Sequence, residues 1–286
     1  MRKDLVIRPR PASPDAAFSL GRVDAMLRRY LYLLRSSWPR IFDLIYWPLV
    51  QMLTWGFLQT YLVHVSKSGA FSGGLGLAAG TLIGAMLLWD ILFRGQLGFS
   101  VSFLEEMWAR NIANLLMSPL RPPELIVALM AMSLVRLAVG FVPVTLLAIW
   151  FFGFNLWGLG VALGFFFANL ILTSWSIGLV CSGLVLRYGL AAESLIWTIV
   201  FLMQPLACVF YPLAVLPRPL QLLASILPPT YVFEGLRALL TRHEFRLDLM
   251  GVAFALNVVF FGAAFAGFML LLRSARRAGT LLQTGE

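Results

Sequence analysis

Four stretches of this chain, Leu44–Ser66, Ser68–Trp89, Ser194–Pro217 and Met250–Leu272, contain no Asp, Glu, Lys or Arg, and a fifth, Leu137–Leu186, is about twice as long as any of them. A bilayer core about 30 Å thick takes roughly 20 apolar residues per helical crossing, so each of the four spans once. The fifth breaks at Gly153-Phe-Asn-Leu-Trp-Gly158, where Gly and Asn favour a turn and Trp157 suits an interface. Six crossings follow, near 41–63, 75–103, 125–151, 158–185, 193–213 and 249–272. With 60% hydrophobic and 12% charged residues and a mean hydropathy of +0.86, no single soluble core could hold this chain. Barrel strands would be short and would alternate polar with apolar, whereas these runs are apolar all round. The fold class is all-α integral membrane.

Lys and Arg counts orient it. Fifteen of the 22 fall before the first span, in the 2-3 and 4-5 connections or after the last span, against five on the other side; Arg94 and Arg136 lie in or near the membrane. Positive residues are held on the cytoplasmic side, so both termini are expected in the cytoplasm of a bacterial inner membrane. A cleaved signal peptide is not expected, because Pro9, Pro11 and Pro14 and many arginines separate the start from the first apolar run. Residues 1–17 read as a flexible cytoplasmic tail and 273–286 as a second cytoplasmic tail. Over 18–38, Leu20, Val23, Leu27, Tyr30, Leu31 and Leu34 recur on one helical face with Arg22 and Arg29 opposite. That pattern predicts an interfacial helix whose arginines meet anionic lipid. Cys181 and Cys208 fall inside spans and read as small buried hydrophobes.

Within the bilayer, Gly76, Gly80 and Gly84 form a ridge that invites a second helix, as do Gly160 with Gly164 and Gly262 with Ala266, within the bundle or between two copies. Asp90 and Arg94 share a helix face at i, i+4. Arg136 sits inside the third span, where a charge is expensive, and Asp90 is its first candidate partner. The second span, about thirty residues or roughly 45 Å, is expected to overshoot the membrane and hold segment 105–124 in the cytosol. The external connection 211–247 is apolar yet broken by Pro212, Pro217, Pro219, Pro228 and Pro229, which predicts two half-helices re-entering the outer leaflet. Trp47, Trp55, Trp89 and Trp197 could line a path for cargo, although Trp more often anchors at interfaces.

Two segments carry a resemblance. Ala109-Arg-Asn-Ile-Ala-Asn-Leu-Leu-Met-Ser-Pro-Leu-Arg-Pro-Pro-Glu-Leu125 and Leu227-Pro-Pro-Thr-Tyr-Val-Phe-Glu-Gly-Leu-Arg237, with the span layout, resemble the type-2 ABC exporter permeases over nearly the whole chain. Asn111-Ile-Ala-Asn114 stands where many relatives have Gly-Thr and an acidic residue. The resemblance implies a permease subunit moving an amphipathic substrate (a glycan, a lipid-linked or a hydrophobic small molecule) by alternating access or through a gated channel. It also implies two permease copies, as a homodimer, with two ATPase subunits that bind ATP and Mg. Glu105, Glu106, Arg110, Ser118, Pro119, Leu120 and Arg121 then carry ATPase coupling, and Pro228, Pro229, Tyr231, Glu234 and Arg237 belong to the external re-entrant segment. No cofactor is expected in this chain, because the only lysines, Lys3 and Lys67, follow Arg and Ser and cannot make a Walker pattern.

Rival readings stay open. His243 and Asp248 have the H-x4-D spacing by which acyltransferases pair a base with an orienting acid, on the external side. A serine protease built on Ser182 lacks a histidine in an adjacent span, a secondary transporter lacks clear inverted repeats, and a membrane scaffold leaves no mark either way. The net charge of +9 is explained by basic residues beside the spans, so lipid headgroups are expected as partners and nucleic acid is not.

Overall fold

The computed structural model describes residues 18–67 and 80–278, and every regular element among them is helical. The expected flexible tail 1–17, Gly76 with the start of the second span, and residues 279–286 lie outside the described residues. The helices are α1 (Leu20–Arg35), α2 (Trp38–Lys67), α3 (Thr81–Trp108), α4 (Ile112–Met117), α5 (Pro122–Phe152), α6 (Val161–Tyr188), α7 (Ser194–Leu206), α8 (Arg218–Ile226), α9 (Pro228–Arg242) and α10 (Leu247–Ala278).

Five of them, α2, α3, α5, α6 and α10, are long and apolar enough to cross a membrane. The sixth expected crossing, over 193–213, is shorter: α7 has 13 residues, about 20 Å at helical rise. It stops because the chain turns sharply at Ala207 and Cys208, with Cys208 at a left-handed φ of 53°. Arg237 of α9 holds that turn, its Nη1 donating to the carbonyls of Cys208 at 2.8 Å and Val209 at 3.3 Å. At the other end of the chain, α10 continues to Ala278 where a tail from 273 was expected, and Arg276 and Arg277 close its last turn beside the negative end of the helix dipole.

The bundle is built around α3. It packs on α5 and α6, and 89% of its apolar window is buried, against 17% for α2 and 22% for α10. Small residues make this possible. A β-carbon on Gly95 would lie 2.6 Å from Ser174 Oγ and 2.7 Å from Ile171, and one on Gly178 would lie 2.8 Å from the Phe99 ring. The ridge expected to receive a helix at Gly80 and Gly84 instead receives the ring of Phe154, from the turn after α5. At Gly164 and Gly262 an added β-carbon would meet no atom within 4 Å among the described residues.

The segment after α7 folds as two short helices joined at Leu227, with Pro228 and Pro229 at the first positions of α9, where a missing N–H costs nothing. Tyr231 donates its hydroxyl to the Ser225 carbonyl at 2.7 Å, tying α9 to α8. Glu234 Oε1 accepts from the Leu213 N–H at 2.8 Å and from Arg237 at 2.9 Å. These side chains fix the segment's path.

Polar atoms join α6 to α10. Asn257 donates to the Asn169 carbonyl at 3.0 Å and accepts from Thr173 Oγ1 at 2.7 Å, with all three residues buried. Interhelical hydrogen bonds in membrane bundles contribute on the order of 1 kcal/mol, so Asn257→Ala should lower stability by about that amount, whereas Val259→Ala on the exposed face should stay within about 0.5 kcal/mol. Equilibrium unfolding in mixed micelles distinguishes the two.

Candidate functional site

Three glutamates, Glu106 and Glu124 buried and Glu105 nearly so, gather at the end of the bundle where α1 lies. Glu105 and Glu106 close α3, and Glu124 opens α5; the short helix α4 and its flanking turns form the elbow between them.

The elbow is a product of local chemistry. Arg110 takes a left-handed φ of 53° after α3, Ser118 Oγ donates to the Leu115 carbonyl at 2.6 Å to end α4, and Pro122 with Pro123 starts α5. Glu124 reaches back to accept from the Arg121 N–H at 2.9 Å, the carboxylate half of a capping box, while its own N–H donates to the Arg121 carbonyl at 3.0 Å. Ile112 is buried and Leu115 and Leu120 pack on the core beneath, so α4 is anchored from inside. Its other side, with Arg110, Asn114, Met117 and Pro119, is exposed.

Helix α1 spans both ends of this elbow. Arg22 binds Glu124 with two nitrogens, Nε at 2.7 Å and Nη2 at 2.5 Å, while the Ser19 N–H donates to the same carboxylate at 2.9 Å. Two turns on, Arg29 Nη1 donates to Glu106 at 2.5 Å, and the other oxygen of Glu106 accepts from Asn111 Nδ2 at 2.8 Å. The expectation that Arg22 and Arg29 face anionic lipid is therefore corrected: they turn inward, because two buried carboxylates need counter-ions. The pair with Glu124 raises the pKa of Arg22 further above its ordinary value, chiefly through the hydrogen bond. Val23, Met26, Tyr30 and Leu34 make the buried face of α1, while Leu20 and Leu31, expected on that face, are exposed. Burial, followed by the nearby Glu106 carboxylate, pushes the Tyr30 phenol up, so this side chain packs as a neutral ring.

Glu105 points the other way along the bundle. It pairs with Arg136 of α5 at 2.8 Å and with Arg40 at the start of α2 at 3.2 Å. This corrects the expected partner of Arg136: Asp90 belongs to Arg94, whose Nε lies 2.9 Å away on the same helix face. Glu105 and Glu106 are thus the last turn of a transmembrane helix, paired within the protein, and do not lie in a free cytosolic segment.

Beside Glu105 a cavity of about 390 Å³ opens between α2 and α7. Arg94, Arg136 and Gly98 line its buried part and Asp43, Trp108 and Trp197 its exposed part. Farther along, α2 meets the chain after α7 where the Trp55 and Phe210 rings stack at 4.1 Å. Of the four tryptophans considered for a cargo path, only Trp197 borders this cavity. Trp55 is stacked, Trp47 is 56% exposed on α2, and Trp89 is buried in the apolar core.

The profile of one sequence family, described as ABC-2 type transporter, matches residues 27–241, a region that takes in the elbow, all three glutamates and the cavity. The chain belongs to the ABC-2 type transporter family. It is a multi-pass membrane protein of the class that supplies the permease of ABC exporters, a component that generally lacks its own nucleotide site and normally works with an ABC ATPase. A search of the curated proteins found no match.

In this ABC-2 protein the side chains singled out from sequence divide into two groups. Arg110 and Pro119 are exposed; Ser118, Leu120 and Arg121 shape the elbow through a cap, a core contact and the start of α5. Asn114, Met117 and Glu124 were not singled out. Glu124 was legible in part, since an acidic residue in the first turn behind Pro122 and Pro123 suits the positive end of a helix. The acyltransferase pairing is not formed: Asp248 is bound by Arg246 at 2.8 and 2.5 Å, and His243 is the exposed, left-handed cap of α9.

The two arms of the Glu105 cluster should differ in weight. Arg136 is buried and its partner nearly so, so Arg136→Ala should cost about 3 kcal/mol by stranding a charge. Arg40 is 47% exposed, and Arg40→Ala should cost less than about 1 kcal/mol. Comparison of their unfolding midpoints in one detergent checks this.

Proposed function

We propose that this chain is the membrane-spanning half of an ATP-driven exporter in a bacterial inner membrane, with α1, the elbow and both termini on the cytoplasmic side. Two permease copies, as a homodimer, would assemble with two copies of a separate ATPase subunit that binds ATP and Mg. The cargo would be an amphipathic molecule: a glycan, a lipid-linked saccharide or a hydrophobic small molecule.

One observation carries this reading: the elbow is clamped by α1 at both ends, through Glu106 and Glu124, while its outer side is left uncommitted. A soluble partner that grips Arg110, Asn114, Met117 and Pro119 would push on a part that cannot move alone. Displacement would pass through the Arg29–Glu106 pair to α1 and α3, and through Arg22–Glu124 to α5. Helices so linked move as rigid bodies, and two packed arrangements of one bundle suffice for switching. Six spans in all, with α8 and α9 seated in the outer leaflet, would complete the topology; α7, at 13 residues, would then cross only with the turn and short helices that follow it.

Affinity purification of the tagged protein from native membranes, with mass spectrometry and an ATPase assay, tests the partnership. A stoichiometric Walker-bearing subunit with vanadate-sensitive hydrolysis is expected, and a lone protein in several mild detergents would remove the reading. The coupling surface has its own test. Met117→Glu should weaken ATPase retention at least about tenfold, the equivalent of roughly 1.4 kcal/mol at an interface anchor, with no change in membrane insertion or unfolding midpoint. Full retention would move the docking surface elsewhere.

A further inference from the structure

The cavity between α2 and α7 carries guanidinium donors beyond those that the pairs with Asp90 and Glu105 use. At its buried end Arg94 engages Asp90 through Nε alone, at 2.9 and 3.1 Å, so its two terminal nitrogens make no hydrogen bond among the described residues. Arg136 commits Nη2 to Glu105, and its Nη1 makes no hydrogen bond among the described residues. Both arginines are more than nine-tenths buried. Unmet guanidinium donors in a low-dielectric setting are costly, and their planar forks match the oxygens of a phosphate.

At the exposed end the chemistry reverses. Asp43, on the first turns of α2, has no ion pair among the described residues, and Trp108 and Trp197 stand at the same cavity. A carboxylate beside aromatic faces is suited to an ammonium group.

The charge count decides between an anion and a zwitterion. The three arginines at the cavity, Arg40, Arg94 and Arg136, are matched by Glu105, Asp90 and Asp43, and Glu193 adds a fourth carboxylate at the exposed end, accepting from the Trp108 indole at 3.2 Å, so the site has no excess positive charge to offer a simple anion. An anion would add to the negative charge in a partly dehydrated space, whereas a molecule with one phosphate and one amine adds none and gives the outer carboxylates a cation. About 390 Å³ falls in the range of small-ligand sites. We infer that this cavity binds the head group of a zwitterionic phospho-amphiphile, with the phosphate at Arg94 and Arg136 and the amine at Asp43, Trp108 and Trp197.

The test uses the full chain in detergent without any ATPase, so its outcome is independent of the export reading. Native mass spectrometry is run with phosphatidylethanolamine, phosphatidylglycerol and soluble phosphoethanolamine as probes. Phosphatidylethanolamine should be retained about tenfold better than phosphatidylglycerol, the scale of one charge-assisted contact. Asp43→Asn changes an exposed side chain and should abolish that preference with no loss of fold. Val101→Trp, which fills the cavity, should lower retention of both lipids. Competition by soluble phosphoethanolamine would assign the site to the free head group, and retention that resists it to a membrane-borne lipid. Equal retention of the two lipids by the unaltered protein, or a preference that survives both substitutions, would overturn the proposal.

Discussion

Glu105, Glu106 and Glu124 are carboxylates set into one end of a bundle made mostly of hydrocarbon, and an ion there persists only if a counter-ion reaches it. Each is met by arginine from another helix: Arg136 and Arg40, Arg29, and Arg22. The consequence is architectural. Helix α1 contributes two of those arginines, so it cannot leave the elbow without stranding two buried charges. The first and third crossings are tied to the end of the second in the same way, through Arg40 and Arg136. Pairs of this kind contribute less to net stability than to register, since desolvation offsets much of the attraction. What they enforce is that α1, α3, α4 and α5 share one position.

The distribution of apolar residues runs against the habit of soluble proteins. The most buried crossing, α3, has a mean hydropathy of 1.3, no higher than α2 with 17% of its window buried, while α10, with only 22% buried, reaches 2.2. In lipid the outer surface must be as apolar as the interior, so burial is not driven by removing hydrocarbon from water. Helix α3 holds its place instead through small residues at Gly95, Gly98 and Ser102, and through polar side chains that need protein partners, such as Gln96, which donates to the Ile196 carbonyl at 3.3 Å. The same logic explains the Asn169, Thr173 and Asn257 cluster between α6 and α10. The largely exposed aromatic face of α2, with Phe42, Tyr46, Trp47 and Phe57, is consistent with contact to lipid or to a second copy.

How far a single helix can be read from sequence depends on whether its partners are local. The Glu124 carboxylate on the Arg121 N–H, the Asp90–Arg94 pair at i, i+4 and the Pro228-Pro229 start of α9 are all spaced within about one turn. The face of α1 was half legible. Its apolar spacing places Val23, Tyr30 and Leu34 inward, but nothing in residues 18–38 reveals that Arg22 and Arg29 meet carboxylates, because their partners lie 102 and 77 positions along the chain.

The sequence by itself determined that this chain lives in a membrane, that it is helical and where most crossings lie, because charge-free runs admit no other solvent and lipid admits no open strand. It also determined the elbow, through prolines and a serine whose effects reach only a few residues. Tertiary structure alone decided that Arg136 takes Glu105 and not Asp90, that α1 turns its arginines inward, that Phe154 fills the glycine ridge and that α7 ends early under the hold of Arg237. Each of these is a contest among several distant partners of similar chemistry, and only packing in three dimensions sets which of them comes within hydrogen-bond reach.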